Sequence, residues 1–275
     1  MATRTWEGAT SGDYGVAGNW VEGAVPIAGD DVRVPATSTQ AITASLDQSG
    51  VSLGSFASEA GAPAMGTETA YLKIASSGTI RLNGSAVSYI DVGATAVVFC
   101  DGSSTPATGL RGLYLNGSAM TTLTVNGGHV GLAWRAGETS TATTIRVSGS
   151  STTLWTGSGV TNTTFTQENG TSSIWHGGTT ININGGVLTT YGTGTWTTVN
   201  EDGGIFYPNS TGTIGSGFCN SGTWNTSTSA ALRTCTSFRL NPTGILVYNP
   251  AIYTISNWTA PTSPIVLTTT RPVTV

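Results

Sequence analysis

The feature that most constrains this chain is a phrase that returns between Thr122 and Tyr248. Each copy has alternating β-formers, a Gly or Asn-Gly break, a few small residues and a closing aromatic. It runs Leu123, Val125, Asn126 to Gly128, Trp134, then Ile145, Val147, Gly149, Trp155, then Phe165, Asn169, Gly170, Trp175. It continues through Ile181, Ile183, Gly185, Tyr191, through Val199, Gly203, Gly204, Tyr207, loosely through Phe218, Gly222, Trp224, and ends at Phe238, Leu240, Gly244, Tyr248. The closing aromatics fall 21, 20, 16, 16, 17 and 24 residues apart, a drifting period of the length of one solenoid coil. A strand of a few residues cannot bury its face alone, whereas stacked coils make each rung the floor of the next. The sequence therefore predicts an all-β fold, a right-handed parallel β-helix or β-solenoid.

Composition supports a folded β protein. Only 9% of residues are charged, against about 25% in an average soluble protein. Gly accounts for 38 positions, and Lys73 is the only lysine. Eight Trp, eight Tyr and a net charge of −4 argue against disorder. Arg and Lys are scattered singly, with no basic cluster to follow a phosphate backbone, so no nucleic-acid partner is expected. No apolar run reaches the roughly 20 residues that span a bilayer, so no membrane partner is expected either. The start, Met-Ala-Thr-Arg-Thr-Trp, lacks an apolar signal-peptide core, and a cytosolic product is expected. Cys100, Cys219 and Cys235 match no zinc pattern; they read as buried small apolar residues, with a bridge between Cys219 and Cys235 as the alternative.

Taken in order, residues 1–40 read as an N-terminal cap or attachment segment. Two Trp within fifteen residues, Trp6 and Trp20, need apolar cover, and the open end of a solenoid needs capping. Residues 41–248 read as the solenoid, with a loop near 59–68; the 33 residues between the two Leu-Asn-Gly-Ser copies fit either two coils or one coil with an inserted loop at Asp101 to Gly109. Residues 249–275 read as an extended C-terminal arm or second cap, broken by Pro250, Pro261, Pro264 and Pro272 around the run Ile265, Val266, Leu267. Such a Pro-punctuated apolar terminus suits strand addition to a neighbouring subunit.

The opening segment carries Trp6-x-Gly8, Ser11-x-Asp13-Tyr14, Ala17-x-Asn19-Trp20, Gly23, Pro26 and Asp30-Asp31-Val32. This pattern resembles the signature ahead of β-solenoid regions in virion structural proteins of tailed phages and, more distantly, in autotransporter passengers. An autotransporter would also need an export signal and a membrane barrel. The resemblance implies a phage virion protein, most plausibly a capsid decoration or cement protein on the capsid exterior. It would be a homotrimer bound to the major capsid protein or other virion proteins. Trp6, Tyr14, Trp20, Asp31, Ile265, Val266 and Leu267 are the expected contact residues with subunit or shell.

Parallel β-helices also host polysaccharide lyases and hydrolases. Glycoside hydrolysis needs carboxylates facing each other across roughly 5 to 9.5 Å. Glu138, Glu168, Glu201 and Asp202 occupy different positions in the phrase, and the adjacent Glu201 and Asp202 read as a solvated turn. Asp30 and Asp31 lie in the cap, with Arg33 near enough to pair with one of them; Asp91 and Asp101 form no calcium cage. His129 and His176 read as isolated turn or surface histidines. No enzyme activity, metal or cofactor is expected. Trp134, Trp155 and Trp175, with Arg135 beside the first, could form a glycan platform if they point outward, which would suit a tail appendage or receptor-binding protein. If they point inward they are core.

Overall fold

A computed structural model describes residues 1–84, 86–93, 96–102, 111–229, 231–259 and 267–269. They form a β-solenoid of about eleven turns built from parallel strands. Each turn contributes a strand to each of two columns. One column holds the longer strands, including Ser140–Val147, Val160–Gln167, Gly178–Ile183 and Trp196–Glu201, paired in that order. The other holds four-residue strands, including His129–Leu132, Thr153–Thr156, Thr171–Ile174, Val187–Thr190 and Ile205–Pro208. The long strands Ile214–Asn225 and Arg233–Tyr248 bend to serve both columns.

Alternation with period two sends every second residue inward. The longer strands stack Val98, Leu123, Ile145, Phe165, Ile181 and Val199 in one register row, all buried. The short strands stack Leu113, Val130, Leu154, Ser172, Leu188, Phe206 and Trp224 in another, all buried. The first row skips a side chain at Gly217, where an added Cβ would lie 2.8 Å from the Trp224 ring and 2.9 Å from the Phe238 ring. Glycine there makes room for two aromatics in the same layer. At the corner after each longer strand, Gly170, Gly186, Gly204 and Gly222 have φ of 71, 71, 85 and 82°, which only glycine adopts without strain.

Both terminal segments join the stack of turns. The cap segment is part of the stack, because Asp31–Val34 pairs with Ser55–Ser58 and Thr3–Thr5 pairs with Asp31–Val34. The stack also runs past Tyr248: Tyr253–Thr259 pairs in register with Arg233–Arg239, and Leu267–Thr269 pairs with Leu246–Tyr248. The proline content made this segment look like an arm, but Pro250 falls in the turn before Tyr253–Thr259. Ile265 and Val266 lie outside the described residues, as does most of the loop expected at Asp101 to Gly109. The loop near 59–68 is stitched to the stack by the bridges Ala62 to Gly84 and Ile42 to Met65.

Candidate functional site

The opening motif builds a closed cap. Trp6, Tyr14 and Trp20 are buried, with Trp6 and Trp20 edge-to-face at 5.2 Å and Tyr14 and Trp20 edge-to-face at 4.8 Å. Asn19, fully buried, organises the loop around them. Its Oδ1 accepts from the Thr10 and Ser11 amides and the Thr10 hydroxyl, and its Nδ2 donates to Ser11 Oγ and the Asp13 carbonyl. The indoles donate to the Gln40 and Tyr14 carbonyls. Asp30 accepts from Arg4 and from the Ala2 and Ile27 amides, and those bonds, the Arg4 one foremost, hold its carboxyl down at about 2. Asp31 accepts from the Ser55 hydroxyl on the next turn. Trp6, Tyr14 and Trp20 thus face inward, and the apolar groups the cap shows to solvent include Met1, Val16, Val21 and Ile27, the last two 61% and 60% exposed.

The repeating aromatics form stacks rather than a row of open faces. Trp175 and Tyr191 stack at 4.5 Å, and Trp134 meets Trp175 edge-on at 5.0 Å. Trp155 lies in its strand opposite Gly131, stacked with His129 at 6.0 Å and covered by the Arg111 guanidinium at 3.5 Å. Arg111 reaches both Trp155 and Trp134 by crossing the space that Gly131 leaves, where an added Cβ would be 2.9 Å from its chain. Upstream, Tyr89 and Tyr114 stack at 4.8 Å, with Arg135 over both rings. Trp134, Trp155 and Trp175 are half-buried. Stacking between turns thus engages Trp155 through His129 and Arg111 and Trp175 through Tyr191.

The acids are likewise tied down across turns. Arg33 pairs with Glu59 rather than with its neighbours Asp30 and Asp31. Lys73 pairs with Asp47 at 2.9 Å, Arg81 with Asp101 at 2.9 Å and Arg146 with Glu168 at 2.8 Å. Glu138 accepts from the Tyr71 hydroxyl and the Arg135 amide, while the Arg135 guanidinium holds Glu68. Asp202 accepts from Asn220, which in turn accepts from Asn241 two turns on. Among the described residues, no group of three His, Cys, Asp or Glu is placed to hold a metal.

Two sequence expectations are corrected. Glu201 is not a solvated turn residue: it ends the strand Trp196–Glu201 pointing inward and is fully buried, and burial raises its carboxyl to about 7. His176 is not at the surface but buried, bonded to Thr156 Oγ1 at 2.7 Å and Asn162 Oδ1 at 3.0 Å, and burial lowers it to about 3. The three cysteines are free and buried, in line with their reading as small apolar residues, and the alternative Cys219 to Cys235 bridge is ruled out by register. Cys235 pairs with Ile214, five residues along the strand from Cys219, or roughly 16 Å.

Arg233 was not singled out by sequence and proves to be a central tie. Buried against Tyr253, it donates to the carbonyls of Ala231, Pro208, Thr226 and Ser229 and to Asn209 Oδ1. The only sequence signal was an Arg next to a strand start in a chain poor in charge.

The fold and this arrangement of cap, stacks and ties define the class: a β-solenoid with a closed N-terminal end, whose polar side chains bind turn to turn. No family model, curated protein or solved structure matches the chain.

Proposed function

We propose that this protein is a non-enzymatic structural component of a tailed-phage virion, a decoration or cement protein on the capsid exterior. The observation that carries the structural role is how its charged groups are used. Every described Arg and Lys side chain engages a partner within the chain, and each of the six ion pairs among the described residues links positions at least 20 apart, from Arg4 with Asp30 to Arg146 with Glu168. Isolated surface pairs contribute only about 0 to 1 kcal/mol each. Distributed along a stack in which each turn touches only its neighbours, they act where a rod would otherwise open. The virion assignment rests on the opening motif, whose Trp6, Tyr14, Asn19 and Trp20 are the residues that close the cap.

The test is re-binding. Recombinant protein mixed with phage particles stripped of it should co-sediment at a fixed stoichiometry, and removal of residues 1–35 should abolish binding. Absence of co-sedimentation would contradict the virion assignment.

A further inference from the structure

On the side of the stack formed by the short strands, the six successive segments 153–156, 171–174, 187–190, 205–208, 223–226 and 245–248 contain no Asp, Glu, Lys or Arg. Their registers run without a shift, Thr153 to Thr171 to Val187 to Ile205 to Thr223 to Ile245, so the face is even along the axis. Its outward positions carry Trp155, Val187, Ile205, Tyr207, Ile245 and Val247 among Thr, Ser and Asn; Ile245 is 46% exposed. The longer-strand column differs, with Arg146 and Arg239 projecting from it.

We propose that this face is where two copies of the chain meet. Charge selects the occupant. A face bearing formal charge would set like charges against each other when it met its own copy, whereas this one meets itself without that cost. A contact of a face with its own copy is two-fold and uses the same residues on both sides, so the unit is a dimer rather than the trimer that the phage resemblance leads one to expect. Size agrees. Six strands at ~4.8 Å spacing and four residues at ~3.3 Å span roughly 29 by 13 Å. The Trp175 and Tyr191 stack alongside widens the uncharged strip to about 20 Å. The resulting strip of about 600 Å² approaches the ~800 Å² that each partner gives to a standard interface.

Sedimentation equilibrium of the full chain tests this. At about 100 µM the native protein should show twice the 28.0 kDa chain mass. Ile205→Glu should fall to the single-chain mass. So should Thr171→Lys, which alters an exposed outward position and leaves the core untouched, so its circular dichroism spectrum should match that of the native protein. Thr180→Lys, on the longer-strand column, should keep the double mass. A single-chain or triple mass for the native protein, or a double mass retained by both Ile205→Glu and Thr171→Lys, would overturn the proposal.

Discussion

The Cys219 thiol donates to Oε2 of Glu201 at 3.2 Å inside the stack, on adjacent turns of one inward row. That row runs Val125, Val147, Gln167, Ile183, Glu201, Cys219, Leu240, so a carboxyl stands among largely apolar side chains. Gly222 faces it from the next corner, where an added Cβ would lie 2.2 Å from Oε1.

This buried acid makes stability depend on pH with a definite sign. In the unfolded chain Glu201 titrates near its ordinary value of 4.5, and in the fold burial raises it to about 7. Its contribution is fully present below 4.5. It falls as pH rises, because the unfolded chain releases the proton first, and it is lost above about 7. The melting temperature is therefore expected to drop between acid and alkaline buffer. Glu201→Gln should flatten that part of the profile and stabilise the protein at alkaline pH by roughly 1 to 3 kcal/mol. Melting curves of both proteins across this range, followed by circular dichroism, check it.

Arg233 should prove costly to remove. Its truncation leaves the Pro208 and Thr226 carbonyls without this donor in the interior. Unsatisfied buried groups cost about 1 to 3 kcal/mol each. Arg233→Ala is expected to lower unfolding free energy by roughly 3 kcal/mol or more. Arg233→Lys should recover only part of it, since an ammonium cannot reproduce the planar five-donor fork. Urea denaturation measures both.

Damage at the cap should stay local. Trp6→Ala removes a fully buried indole and should cost about 3 to 5 kcal/mol. Because each turn contacts only its neighbours, hydrogen exchange should accelerate in Thr3–Thr5, Asp31–Val34 and Ser55–Ser58, while Val160–Gln167 and Gly178–Ile183 keep native protection.

The cysteines provide an independent check of register. All three are buried and burial raises their thiols, that of Cys235 to about 12. Ellman's reagent should therefore find no reactive thiol in the folded protein and three in denaturant without reductant. A result of one thiol in denaturant would reveal a disulfide and contradict the register of the last turns.

The solenoid was legible because its information is periodic: inward Ile145, Phe165 and Ile181 recur with the turn, and the corner glycines recur with them. What the sequence hid is what depends on neighbouring turns. Glu201 and Asp202 look alike in sequence, yet one ends a strand inward and the other begins the corner. The closing aromatics share a phrase but not a register position: Trp155 lies within its strand, whereas Trp175 follows its own, and Trp224 is core. Arg135 stands beside Trp134 in sequence, but its guanidinium lies over Tyr89 and Tyr114. The cap residues Trp6 and Trp20 were expected at a contact surface, and the fold turns them inward.

The central claim, a structural component of a virion, is tested most directly by quantitative mass spectrometry of purified particles from any phage whose genome carries this sequence. The account predicts hundreds of copies per particle, in fixed ratio to the major capsid protein. Absence of the chain from particles, or a few copies confined to a tail, would contradict it.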